Sequence, residues 1–209
     1  MINPWLSIPL EDYEGHMSLP EIGQASALAS ELARLLGERR PASLALLGCS
    51  GGNGLEHVDA AVTSRVVALD INPAFLEATM ARFGRVFEVL EPVLCDLTTV
   101  REAPFRPVEL AFAGLLLEYV PVRSTLQLIR SALLPGGALG CVLQEESATL
   151  AHVTPSPYSS LGALAGCMTL RSPAEVTHEA AAVGLDLLET RTLVMPNGKV
   201  LASLLFEAS

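Results

Sequence analysis

Apolar and polar positions along this chain follow two alternating periods. From Glu21 to Arg39, Leu28, Leu32, Leu35 and Leu36 recur at helical spacing, with Gly37 near the end of the run. Pro41 separates that predicted helix from Leu44–Leu47, a short, wholly apolar run of the kind that forms a strand buried on both faces. After a glycine-rich turn, Leu55–Val62 predicts a helix and Arg65–Asp70 a second strand. Asn72-Pro73 then opens another helix, with Asn72 as N-cap and proline at the first helical position. Pro92–Cys95 and Val108–Ala113 predict a third and a fourth strand, ending in Asp96 and Gly114. Ser124–Leu134 predicts a helix closed by Pro135-Gly136-Gly137, followed by a fifth strand over Ala138–Leu143. Ser172-Pro173 starts a helix with an acidic first turn. Leu185–Val194 and Val200–Phe206 close the series across Pro196-Asn197-Gly198-Lys199, and Asn-Gly between two β-like runs signals a hairpin.

Strands alternating with helices imply right-handed crossovers, hence an α/β fold with a mostly parallel sheet, helices on both faces and a C-terminal antiparallel hairpin. The pattern reads as one domain over residues 1–209. Two segments stand outside the rhythm. Residues 1–20 hold three prolines, Trp5, Tyr13 and His16, read as irregular, and with the following helix make an N-terminal cap over 1–40. Residues 146–171, with TPSPYSSLGALAGCM, read as an insertion or lid.

Composition narrows the function classes. The chain has 209 residues, half of them hydrophobic and 17% charged, and its mean hydropathy is +0.43, as expected for strands covered on both faces. No apolar run reaches about 18 residues without a charge or a Gly/Pro break, and Met1–Leu10 lacks a basic start, so the expectation is a cytoplasmic protein without membrane contact. A formal net charge of −10 and no basic cluster beyond Arg39-Arg40 speak against nucleic acid. Cys49, Cys95, Cys141 and Cys167 are widely spaced with no C-x-x-C pair, so no metal site is expected.

The candidate chemistry centres on LALLGCSGGNGLE, residues 44–56. Gly48-Cys49-Ser50-Gly51-Gly52 fits G-x-S-x-G, the elbow of a serine hydrolase, and Asp70 or Asp96 followed by His152 or His178 would complete a triad in order. No HGGG-like oxyanion loop precedes it, however, and that reading leaves Asp70 and the hairpin unexplained. The same residues also make a glycine turn after a first strand, where a cofactor can lie against main chain and a helix N-terminus. Asp70 ends the next strand about 20 residues on, where one carboxylate can accept from both hydroxyls of a ribose. Asp96-Leu97, ending the third strand, can meet an adenine edge. A dinucleotide fingerprint fits worse, because it requires glycine where Ser50 and Asn53 stand.

In this arrangement LALLGCSGGNGLE, VVALDIN, VLCD and LLPGGALGCVL follow one another in the order of the class I S-adenosylmethionine-dependent methyltransferases, which the chain resembles over roughly residues 40–145 and again through the hairpin. The N-terminal MINPWLSIPLEDYEGHM is similar to a subgroup of small bacterial members. The resemblance implies a doubly wound, Rossmann-like three-layer sandwich with a seven-stranded sheet. It implies S-adenosyl-L-methionine as cofactor and S-adenosyl-L-homocysteine as product. The cofactor residues would be Gly48, Cys49, Ser50, Gly52, Asn53, Asp70, Ile71, Asp96, Leu97, Gly114 and Tyr13. Ser50 replaces the middle glycine of that family's pattern, and serine is small enough there if its φ is negative.

For the acceptor side, Tyr119 follows the fourth strand where this architecture faces the reactive methyl, Glu118 beside it is a candidate base, and His152 and His16 are the others. Absence of N-P-P-[YF] after the fourth strand, together with the acidic balance, favours a small-molecule acceptor. A protein that retains the cleft without turnover is the alternative. Oligomeric state, monomer or homodimer, is left open by the pattern.

Overall fold

The computed structural model describes residues 3–209. Its seven strands are β1 (Ser43–Leu47), β2 (Arg65–Asp70), β3 (Val89–Leu94), β4 (Val108–Gly114), β5 (Leu133–Gln144), β6 (Leu185–Val194) and β7 (Val200–Ala208). They form one sheet in the order β3-β2-β1-β4-β5-β7-β6, parallel except where β7 runs antiparallel between β5 and β6. Helices α1 (Leu10–Met17), α2 (Gln24–Arg39), α3 (Pro73–Phe83), α4 (Val122–Ser131) and α5 (Pro173–Ala181) complete the α/β sandwich.

Successive side chains of a strand point to opposite faces, and the apolar runs therefore feed two cores. Leu44, Leu46, Val66 and Ala68 pack with Leu28, Leu32 and Leu35 of α2. Ala45, Leu47, Val67 and Leu69 face the other way, into the core completed by Leu126 and Ile129 of α4 and Val176 of α5. Both faces being covered explains why these strands read as unbroken apolar runs. Among the described residues no helix is long and apolar enough to cross a membrane.

Three expectations are corrected. Leu55–Val62 is not a helix: only Leu55–His57 makes a 3₁₀ turn, because the Asp59 carboxylate takes the Ala61 N–H at 2.9 Å and draws the backbone into a turn. Residues 3–20 are not irregular, since Pro4–Ser7 forms a 3₁₀ turn and Leu10–Met17 a helix; Pro4 and Pro9 sit at or just before the start of these, where a missing N–H costs nothing. Pro135-Gly136-Gly137 lies inside β5 rather than closing α4, accommodated by a register shift between Val108 and Leu110 and by Gly136 at φ 70°. The insertion carries a 3₁₀ segment, Ser159–Gly166.

β1 and β4 are neighbours from which the chain winds outward in opposite directions. Their carboxyl ends diverge there and open the crevice in which open α/β sheets take ligands.

Candidate functional site

β1 runs into Gly48, whose φ of 70° turns the chain away from the sheet. The Gly48 and Cys49 N–H groups both donate to the Leu69 carbonyl, at 2.8 and 2.9 Å, tying the turn to β2. Ser50 follows at φ 50°, so the negative φ on which its fit was made conditional is not met. An L-residue in this left-handed conformation costs roughly 1 kcal/mol. Two bonds hold it there: Ser50 N–H donates to Asp70 Oδ2 at 2.9 Å, and the Thr79 hydroxyl donates to the Ser50 carbonyl at 2.9 Å.

Asp70 thus organises the turn. Its other oxygen accepts from Asn72 N–H at 2.9 Å, while Asn72 caps α3 through Ala74 N–H. Burial pushes the carboxyl up to about 6, against the opposing pull of these N–H bonds. A carboxylate has about four acceptor positions. Two are used by backbone, and Asp70, though only 6% exposed, still borders a cleft.

That cleft lies beyond the carboxyl ends of β1, β2 and β4, with about 640 Å³ of free space when its open mouth is counted. Strand ends contribute Gly48, Asp70, Ile71 and Gly114, and the loop after β3 contributes Asp96 and Leu97. Opposite them come Trp5, Tyr13 and Tyr119; the Trp5 ring stands edge-on to both tyrosines, at 5.6 and 5.0 Å between centroids. Burial pushes the Tyr13 phenol up to about 12 and Tyr119 further, so both stay protonated. The N-terminal segment is fastened where Asn72 Nδ2 donates to the Trp5 carbonyl at 2.9 Å. A second cavity of about 470 Å³ adjoins the cleft, sharing Trp5, Tyr13, Leu115 and Tyr119 with it.

Residues 46–141 match the methyltransferase domain family. The matched span runs from β1 to β5 and so takes in the strand ends that line the cleft. No curated protein matches this chain's sequence. Solved structures share its fold. The N-methyltransferase NodS from Bradyrhizobium japonicum WM9, in complex with S-adenosyl-L-homocysteine, superposes with a TM-score of 0.68 at 15% identity, over 95% of this chain and 97% of NodS. Magnesium protoporphyrin IX methyltransferase (ChlM) from Synechocystis PCC 6803, with bound S-adenosyl-L-homocysteine, gives 0.66 at 13%, over 90% and 84%. A possible exported protein from Bordetella parapertussis gives 0.69 at 17%, over 91% and 70%.

In this chain Gly48, Ser50, Asp70, Ile71, Asp96, Leu97, Gly114, Tyr13 and Tyr119 all border the main cleft. Gly52 and Asn53 border a neighbouring recess beside Arg82, whose guanidinium is paired with Glu14. Cys49 borders neither: it is buried, with Sγ 3.6 Å from the Thr79 hydroxyl. Glu118 is likewise outside both the cleft and the second cavity. It is 2% exposed, with Oε1 accepting from Gln144 N–H at 2.7 Å and Oε2 unpartnered. Burial pushes its carboxyl up to about 7. His152 borders the second cavity, but its Nε2 contacts Glu146 at 3.2 Å. No histidine hydrogen-bonds Ser50 among the described residues, so the elbow reading has no nucleophile–base pair. Sequence reasoning missed Trp5 as a cleft wall and Gln24, Gln144 and Lys199 in the second cavity.

Proposed function

We propose that this protein is a methyltransferase that binds S-adenosyl-L-methionine along Gly48–Gly52, Asp70 and Asp96-Leu97, and methylates a small molecule held in the adjoining cavity. The residues fit the cofactor. Gly48 has a positive φ, and a side chain there would press on Leu116, so main chain stays open to a ligand. Asp70 keeps acceptor positions for two ribose hydroxyls. When bound, the cofactor would supply a methyl already activated on a sulfonium, transferred in line with S-adenosyl-L-homocysteine as the product. What remains for the protein is to hold the reactants and exclude water.

The observation that carries the catalytic reading is the second cavity, open beside the cleft and walled by Tyr119, Trp5 and residues of the 146–171 insertion. A protein that only bound the cofactor would have no use for it. The limited size of the cavity and the net charge of −10 support a small acceptor rather than nucleic acid. His16 borders this cavity and takes the role of proton acceptor where one is needed. Burial and the Lys199 charge push it below the ordinary histidine range, so it is neutral at pH 7, with Nδ1 2.8 Å from the Ser156 hydroxyl. Glu118 is withdrawn from that role.

Calorimetric titration with S-adenosyl-L-methionine and S-adenosyl-L-homocysteine tests the reading. Both should bind. Asp70→Asn should weaken both at least tenfold, the worth of about 1.5–3 kcal/mol for a charge-assisted hydrogen bond. Binding to the wild type should also weaken as pH falls below about 6, where Asp70 takes up a proton. A wild-type protein that binds neither compound would sink the proposal.

A further inference from the structure

The second cavity has a donor-rich end that the transfer reaction itself does not explain. Lys199 closes the turn between β6 and β7: its N–H donates to Asn197 Oδ1 at 3.0 Å, and its carbonyl accepts from Met195 N–H at 2.8 Å. These bonds fix the backbone, and the side chain is 5% exposed and borders the cavity. Its ammonium donates to Gln144 Oε1 at 3.1 Å and to the His152 carbonyl at 2.5 Å. An ammonium has three N–H groups, so one is left over. The Gln24 and Gln144 side-chain amides lie alongside, 3.5 Å apart.

The chain carries 23 carboxyl side chains. Every ion pair among the described residues is made by an arginine or a histidine, and none by Lys199. Glu118 comes as near as the Gln144 N–H, but it borders no cavity. Burial lowers Lys199 only to about 8, which leaves it cationic at neutral pH. A buried cation without a counter-charge is expensive unless something arrives to pair with it. Other walls are apolar, with Met17, Leu161, Leu164 and Met168. Lys199, Gln24 and Gln144 border the second cavity alone, whereas Trp5, Tyr13 and Tyr119 border both spaces.

We propose that the methyl acceptor is a carboxylic acid with an apolar body, its carboxylate paired with Lys199 and its nucleophilic oxygen or nitrogen at the wall shared with the cofactor cleft. This rests on the methyl-transfer reading above. The carboxylate is an anchor and is not methylated. The bond from sulfur to methyl breaks as the bond to the nucleophile forms, sulfur keeps the electron pair, and the nucleophile's proton passes to His16 or solvent.

The test uses the full chain saturated with S-adenosyl-L-homocysteine. Titrations compare 4-hydroxybenzoate and hexanoate with the neutral 4-hydroxybenzamide and hexanamide. At least one acid should bind tenfold or more tighter than its amide. Lys199→Met should erase that preference while leaving S-adenosyl-L-homocysteine affinity within twofold. Acids that bind no tighter than their amides to the wild type overturn the proposal, and so does a preference that survives in Lys199→Met. The wild-type comparison decides even if the variant does not fold. Loss of S-adenosyl-L-homocysteine binding in the wild type would instead overturn the methyl-transfer reading beneath it.

Discussion

The cleft and the cavity beside it share walls, yet they are built by different means. Most of the cleft comes from the ends of consecutive strands: Gly48 after β1, Asp70 ending β2, Asp96 after β3 and Gly114 ending β4. Parallel ladders between those strands set their relative heights, with Leu47 opposite both Leu69 and Ala113. The second cavity is gathered from α1, the 146–171 insertion and the β6–β7 turn. Its fastenings span long stretches of chain: His16 to Ser156, Asp12 to the Ser160 hydroxyl at 2.5 Å, Lys199 to the His152 carbonyl. Strand-end sites inherit their geometry from the sheet. A site gathered from distant segments depends on each contact among them, and can change its ligand by changing a few.

That contrast can be broken most forcefully at Glu118, which joins the two regions through its bond to Gln144 N–H and through its carbonyl, which accepts from Thr169 N–H. Its carboxyl is raised to about 7 by burial, so the folded chain holds a proton that the unfolded chain releases above about 4.5. Stability from this group is therefore full below about 4.5 and is lost as pH rises through 7, a change on the order of 3 kcal/mol. Denaturant titrations of Glu118→Gln should lose this slope, leaving the smaller Asp70 contribution between about 4 and 6. An unchanged slope would mean that the buried carboxyl is not the titrating joint.

Asp70→Asn comes next. It should cost cofactor affinity about 10- to 100-fold, while the acid-over-amide preference set by Lys199 persists in binding assays. Coupled loss of both would erase the distinction between the two regions. Gly15→Leu acts on the other side. Its new side chain would collide with the Tyr158 ring, prising α1 from the insertion. Overpacking of that kind costs about 1–3 kcal/mol, read as a lower melting temperature, and acceptor KM should rise more than cofactor KM. Smallest is Ser50→Gly, which removes the left-handed strain. Stability should change by about 0.5 kcal/mol or less and cofactor affinity should hold or improve; a marked loss would give the Ser50 hydroxyl a role of its own.

The same division governs what could be read from the chain. Strand endings were legible because they need only a local period and a terminal residue, and so Gly48, Asp70, Asp96 and Gly114 all border the cleft. Ser50 could be read as part of the turn but its φ could not, since the Asp70 and Thr79 bonds that enforce it come from β2 and α3. Glu118 and Tyr119 looked equivalent as neighbours after β4, yet one packs behind Gln144 and the other borders the cleft. The helix α1 was hidden by prolines that serve as its start signals. Lys199 read as the last residue of a turn, because nothing local announces that a turn delivers an ammonium to a carbonyl 47 residues earlier in the chain.

Trp5, Tyr13 and Tyr119 form a partition with a ligand space on either side. Two of the three belong to the N-terminal segment, which is pinned to α3 at Asn72 and to the insertion at Asp12 and His16. A wall shared in this way couples the two spaces: a ligand that shifts it on one face reshapes the other, and by linkage the affinities of the two occupants should then depend on each other by the same factor in both directions.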